Sequence, residues 1–593
     1  MGSEFVMGLR RVMLTGVLLV LTACGGGGGG GSSSGSTDPT DPAPPPPPPP
    51  PPAPQALTDT EAARFLSQAT FGPGSDDVQV VLDMGLEGWF LDQLDKPASL
   101  HLDNVLAGFP EDGSFLDENN NPVEGLIFLP NNSVWQAMIE GEDQLRQRMA
   151  FALSQILVVS ANSNVGLVPQ SLAHYADILT DGAFGNYRDL LQNVTYSPAM
   201  SLYLTYLRNV KADPATGRVP DENYARELLQ LFTVGLVQLN PDGTPVEDAA
   251  GNQVELYDND DVTELAKVFT GLSPAGASFF TPVRALPTEA FHSPLASFGE
   301  FHSLESKNFM GIAIAEGTGP DASIRQALDG IFAHPNVGPF ISRQLIQRFV
   351  TSAPAPDYVE RVAAAFDAGS YSLPSGTAVG DGQRGDLSAV LAAILFDAQA
   401  RDAGPRNEPG FGKLREPVLR FTHWARAFEV NSGDPSNEVI LRNTSQAESL
   451  GQHPYLSPSV FNFYRPGYIA PGTQTGEAGL TAPELQITNA TSIVGYPNVM
   501  TAYALGLTPK VDRNEPSGFI PDYSAEIALA QDTDALLDLL DIKLTHGTLR
   551  DDSRERIADI LSSLEAQSDE GRELRAQLAS VLVMTTPEYI VLK

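Results

Sequence analysis

Nine consecutive prolines, Pro44 to Pro52, constrain this chain more than any other stretch. Proline has no amide hydrogen and a fixed φ, so the run can join neither a helix interior nor a sheet. It is expected as an extended polyproline II rod reaching about 28 Å. Gly25 to Gly31 and the Ser/Gly residues that follow are expected as flexible coil. Residues 25–56 therefore form a tether, and whatever folds must lie beyond it.

What precedes the tether has the layout of a secretory signal. Arg10 and Arg11 lead into the apolar run Val12 to Leu21, which closes on Leu21-Thr22-Ala23-Cys24. That run is too short for a permanent membrane helix. Met1 to Phe5 reads as a cloning remnant, with the natural start expected at Val6 or Met7. The Leu-Thr-Ala-Cys ending resembles a bacterial lipoprotein signal, which implies lipidation at Cys24, and Gly25 after it is similar to lipoproteins sorted to the outer membrane. Cys24 is the only cysteine in 593 residues, so the rest of the chain holds no disulfide, thiolate cluster or cysteine nucleophile.

From Leu57 on, apolar residues recur at helical spacing, interrupted by long polar loops. Thr58-Asp59-Thr60-Glu61 opens a helix, Asp357 with Glu360 repeats the capping-box spacing, and Gly141 to Ser160 reads as one long helix carrying Leu145, Met149, Ala152 and Ile156. The expected fold is mainly α: a large multi-helix globular domain with long polar loop insertions. Residues 57–513 form its main part, and 514–593 a C-terminal helical region packed on it. Of the long loops 111–122, 240–257, 273–300 and 368–385, one or two are expected to line a cleft. Asp117 to Asn121 and Asp258 to Asp261 are oxygen-rich but lack calcium-loop spacing, so turns and caps are the reading for both.

The central stretch is Asp221 to Gly235. It reads as one helix closed by Gly235, with Glu222, Asn223, Arg226, Glu227 and Gln230 on one arc and Tyr224, Ala225, Leu228, Leu229, Leu231 and Phe232 opposite. A second helix follows at Val262 to Thr270, with Asp261 and Glu264 spaced as its capping box and Gly271 as its stop. The two should be neighbours, which brings Asp261 near the carboxylate arc. Such a face suits acid–base chemistry and equally suits an ion-paired surface.

These residues also carry a resemblance. The run Glu222-Asn223-Tyr224-Ala225-Arg226-Glu227-Leu228, followed by Asp261-Val262 and Thr270-Gly271, resembles the bacterial family named domain of unknown function 1800. Further matches are Ala63-Arg64-Phe65-Leu66, Ala69-Thr70-Phe71-Gly72, Arg146-Gln147-Arg148, and Phe301-His302 with Lys307 and Gly311. The family name implies no activity. Gln230 stands where a second Glu is usual, and Ser303 and Glu305 replace the usual Asp and Gly. Gly451-Gln452-His453-Pro454 is followed by Phe461-Asn462-Phe463-Tyr464 rather than Gly-Trp. The resemblance leaves Glu222, Arg226, Glu227 and His302 as candidate catalytic residues, with Asn223, Gln230, Asp261 and Lys307 as candidate binding residues.

Several chemistries are disfavoured. A net charge of −37 repels phosphate backbones, so nucleic acid is not an expected partner. There is no His-Glu-x-x-His, phosphate loop or dinucleotide fingerprint, and the lone Gly-x-Ser-x-Gly, Gly31 to Gly35, lies in the tether. His292 and His302 read as bystanders, and no metal or cofactor is expected. Arg343, Arg348 and Arg415 are expected as buried partners of the Glu222 face. Trp424, Tyr455, Phe463 and Tyr464 could stack on sugar rings but suit a core better.

The leading expectation is a hydrolase acting on an extracellular polymer, polysaccharide first, through carboxylates of the Glu222 helix. Its rivals are a non-catalytic surface binding or scaffold module, and an ester or amide hydrolase whose serine triad sequence does not reveal. The expected location is the cell outer membrane, lipid-anchored and facing the periplasm or the exterior, with membrane contact only through the anchor. Expected partners are an extracellular polymer or a surface protein.

Overall fold

The computed structural model describes residues 56–110, 125–282, 285–430, 441, 443–506 and 519–593. The signal, Cys24, the tether up to residue 55, the 117–121 loop and the 513/514 boundary lie outside them. Residues Leu57–Lys593 form one compact unit. Twenty-four α-helices fill its described part, joined by four two-stranded antiparallel ladders of two or three residues per strand. The protein is mainly α, as its periodicity predicts.

Local rules explain most helix ends. Thr58 caps Asp59–Ala69 as expected, exchanging hydrogen bonds with Glu61 in a capping box. The expected long helix at 141–160 is shorter, Gln144–Ser154, because Gly141 ends the preceding helix and the chain leaves helical geometry after Gln155. Leu145, Met149, Ala152 and Ile156 are nevertheless all buried. At Pro356–Ala368 the cap residue is Ala355, which has no acceptor, and proline supplies the helical φ. Asp357 therefore does not cap, and its carboxylate pairs with Arg361 at 2.9 Å.

Two core clusters organise the packing. One gathers Phe65, Trp89, Tyr187, Tyr224, Leu228, Phe269, Leu345 and Phe396. The other joins Phe71, Trp135 and Phe151 to Phe421 and Trp424, and to Leu537, Leu544, Val583 and Tyr589 near the C-terminus. The last residues also pair directly with the middle of the chain, Lys413 opposite Leu592 and Leu414 opposite Val591. Trp424 and Tyr464 are core residues at 0 % and 4 % exposure, which removes them from any sugar platform.

Between these cores lies a buried ionic network. Glu416 is wholly buried, and its Oε2 accepts from Gln155 Nε2 at 2.5 Å, Gln452 Nε2 at 2.5 Å and Tyr464 Oη at 2.7 Å. Lys413 Nζ sits 4.0 Å from its Oε1 and 2.7 Å from Glu484 Oε1, while Glu484 Oε2 accepts from Ser352 Oγ at 2.9 Å. Burial pushes the Glu416 carboxyl up, but Lys413 and Arg148 outweigh it and hold the group below the usual carboxylate range. Burial pushes Arg148 down to about 10.

The arginines expected at the Glu222 face go elsewhere. Arg348 donates to Gln344 O at 2.8 Å and Gln155 O at 3.0 Å, with Glu416 and Glu484 as its nearby charges. Arg415 donates to Tyr589 O and to His423 Nδ1, the latter at 2.7 Å. The Glu222 face is open enough to be served by water, whereas Glu416 is not, so burial decides where the cations are needed. Removing one member of a buried network strands the rest, so Glu416→Ala should lower the unfolding free energy by about 3–5 kcal/mol. Glu222→Ala, in a half-exposed pair, should cost under about 1 kcal/mol. Urea unfolding of the two variants side by side checks both.

Candidate functional site

The central helix spans Asn223–Gln230, with Glu222 at its cap position. Tyr224, Ala225, Leu228, Leu229 and Phe232 are buried, so the apolar arc is where its spacing predicts, with Leu231 half-buried. Gly235 has φ +76°, and its amide donates to Leu229 O at 3.0 Å, closing the turn. A Cβ there would lie 2.8 Å from Phe340, so only glycine fits.

The polar arc splits into two environments. Glu222 is half-exposed: its Oε2 pairs with Arg226 at 3.1 Å and its Oε1 accepts from Thr263 Oγ1 at 2.9 Å. Arg226 also donates to Asn259 Oδ1 at 3.2 Å. Both bonds cross to the neighbouring helix Asn259–Ala266, so the two helices are adjacent as expected. Asn223 Nδ2 reaches Thr205 Oγ1 at 3.4 Å, and Gln230 is half-exposed.

Glu227 is different, at only 7 % exposure. Its Oε2 is buried with no hydrogen-bond partner. The hydroxyl of Tyr257 is also buried and unpartnered. Burial pushes the Glu227 carboxyl up, with Arg226 pulling the other way. Burial lifts Tyr257 to about 12, and the negative charge of Glu227 adds to the shift, which places the two groups near each other. Tyr203 is raised to about 12 chiefly by burial, with Glu227 again contributing. Neither tyrosine was legible as a site residue. The one cue was Tyr257's place immediately before the acidic helix start.

The remaining candidates form a different structure. Asp258, not Asp261, caps the second helix: its Oδ1 accepts from the amides of Asp260 and Asp261, and the Asp258 amide donates in turn to Asp261 Oδ2 at 3.0 Å. The capping box lies one turn earlier than Asp261 with Glu264, since Asp258 has the extended backbone a cap requires. Asp261 Oδ1 then accepts from Met310 N at 2.6 Å. His302, fully buried, uses Nδ1–H toward Thr270 O at 2.9 Å and Nε2 with Ser323 Oγ at 3.2 Å. Lys307 Nζ donates to Ser303 O at 2.8 Å and Glu305 O at 3.0 Å. Gly271, φ +82°, permits this closure, because a Cβ would lie 2.7 Å from Phe298 O. Asp261 and His302 thus pin the 300–311 segment against the second helix and the residues that follow it, while Lys307 ties the segment to itself.

That segment and the second helix enclose an open acidic cleft of about 690 Å³. It is lined by Asp260, Thr263, Glu264, Lys267, Glu305 and Glu316 among others. Lys267 bridges Glu264 at 2.6 Å and Glu305 at 3.1 Å. Thr263 links the cleft to Glu222. Among the described residues, no group of three or more His, Cys, Asp or Glu side chains is placed to hold a metal ion.

The geometry defines a mainly helical protein with an acidic cleft beside a helix that carries one paired and one partnerless carboxyl. The chain belongs to the family described as Protein of unknown function (DUF1800), whose model matches residues 64–591 and so takes in the central helix, the 300–311 segment and the acidic cleft. No curated protein and no solved structure matches it. Among the described residues, no helix is long and apolar enough to cross a membrane.

Because the folded state raises the Glu227 pKa, its proton stabilises the fold at low pH. That contribution is lost as pH climbs from the unfolded carboxyl value near 4.3 through the higher folded value. Glu227→Gln, neutral throughout, should match wild type below about pH 4 and exceed it in melting temperature at pH 7. Thermal melts across that range check the sign.

Proposed function

We propose that this protein is a lipoprotein anchored through Cys24 at a bacterial outer membrane, whose folded part hydrolyses an extracellular polymer, polysaccharide first. The observation that carries the reading is the Glu227 carboxyl. Buried polar atoms in native proteins nearly always have a partner, and one that lacks it next to a second unpartnered hydroxyl marks a place for a ligand group or water. Burial favours its protonated form, which suits a general acid. Glu222, on the same helix and ion-paired with Arg226, supplies a carboxylate that suits a general base.

In that scheme Glu227 gives its proton to the leaving glycosidic oxygen as the C–O bond breaks. Glu222 takes a proton from the attacking water, and solvent restores both groups. The adjoining cleft is rich in carboxylates, so a neutral or amino-bearing polymer suits it better than a polyanion.

A second reading rests on Asp261, His302 and Lys307, whose polar atoms are spent on the backbone and on one another's segments. Their arrangement suits a rigid surface module that binds a polymer or protein without cleaving it.

Residues 57–593, assayed against a panel of polysaccharides and model esters, separate the two. Hydrolysis of a glycan by wild type, with a loss above about 100-fold in Glu227→Gln and in Glu222→Gln while both remain folded, supports the carboxylate scheme. Absence of cleavage, with glycan binding intact, supports the module.

A further inference from the structure

A second cleft, with no residue in common with the acidic one, opens beside the helix Val337–Phe349. It measures about 770 Å³ and is walled by Ala353 to Pro356, Gly404, Pro405, Phe411 and Leu480. Three of its residues are prolines, Pro354, Pro356 and Pro405, so its rim is stiff before anything binds. Size and lining are those of a site for a small organic molecule: mostly apolar, with few polar groups.

Its one cationic group is Arg343, half-buried in the wall. Among the described residues Arg343 has no ion pair. The carboxylates beside the lining residues Pro356 and Gln399 in sequence are committed elsewhere: Asp357 pairs with Arg361 and accepts from Gln399, and Asp397 also pairs with Arg361. Glu408 is on the rim, yet burial is the sole influence on the guanidinium, which it pushes below its ordinary range. An arginine half removed from water with no counter-charge is an unsatisfied feature in so acidic a protein, where 73 carboxylates outnumber 36 basic side chains.

We infer that this cleft binds a small amphiphilic carboxylate, its anionic head on Arg343 and its apolar body between Pro354, Phe411 and Leu480. The guanidinium fork matches a carboxylate in two parallel hydrogen bonds. Burying the body against proline and aromatic surface supplies the remaining affinity. The site is independent of the proposed hydrolysis and stands or falls without it.

Octanoate is the probe, titrated into the full chain by calorimetry beside octanol and octylamine. The expected result is saturable octanoate binding that weakens about tenfold or more in Arg343→Gln, weakens less in Arg343→Lys, which keeps the charge but not the fork, and exceeds octylamine binding. Octanol binding should be the same in wild type and Arg343→Gln. A further variant fixes the location: Gly404 lines the cleft and a Cβ there meets nothing within 4 Å, so Gly404→Trp should add bulk at the cleft wall without disturbing the fold. It should abolish octanoate binding while the melting temperature holds. No saturable octanoate binding to wild type, equal binding in Arg343→Gln, or undiminished binding in Gly404→Trp would each overturn the assignment.

Discussion

A carboxylate with no access to water is the demand around which much of this fold is arranged. Glu416 survives burial because Lys413 of its own segment and three other segments bring it donors or cations: the Gln144–Ser154 helix with Arg148 and Gln155, Arg348 at the end of Val337–Phe349, and the 452–464 stretch. A buried ion tolerates few errors of placement, since the penalty for an unpartnered charge is several kcal/mol. Glu416 also stands at the cap position of Pro417–Ala427, the helix that carries Phe421 and Trp424 into the second core. Registration of that helix and partnering of that charge are therefore one requirement.

The central helix and the 300–311 segment show a different economy. Ion pairs there are confined to the more open Glu222–Arg226 and Lys267–Glu305 contacts, while the buried His302 and Lys307, with Asp261, meet backbone or hydroxyl groups: Asp261 takes an amide, Lys307 two carbonyls, His302 a carbonyl and a hydroxyl. Short-range bonds of this kind hold the segment rigidly where Phe309 and Met310 seat it on the first core. Glu227 departs from the pattern, since its Oε2 and the nearby Tyr257 hydroxyl are both buried without a partner. That contrast, rather than the carboxylate's mere presence, is what singles it out.

Sequence made the local half of this picture readable. The Thr58 cap, the Gly235 and Gly271 stops and the buried arc of Tyr224, Leu228 and Leu229 follow from neighbours a few residues apart. Asp357 misled because capping-box spacing ignores what stands at the cap itself, here Ala355. The Glu416 network was out of reach: its donors lie 36 to 261 residues away, and nothing local marks Gln155 or Tyr464 as theirs. Arg343 was assigned to the wrong face for the same reason. Charge content says that arginines need partners, while only the fold says which carboxylates are near.

The antiparallel pairing of Lys413–Leu414 with Val591–Leu592 has a bearing on how the molecule comes into being. Arg64 near the start of the compact unit also donates to the carbonyl of Lys593, and Arg415 to that of Tyr589. Residues 589–593 are synthesised more than 500 residues after Arg64, so neither the first helix nor the segment that carries Glu416 has its full set of contacts until they emerge. Consolidation of the early chain therefore waits on a stretch made far later.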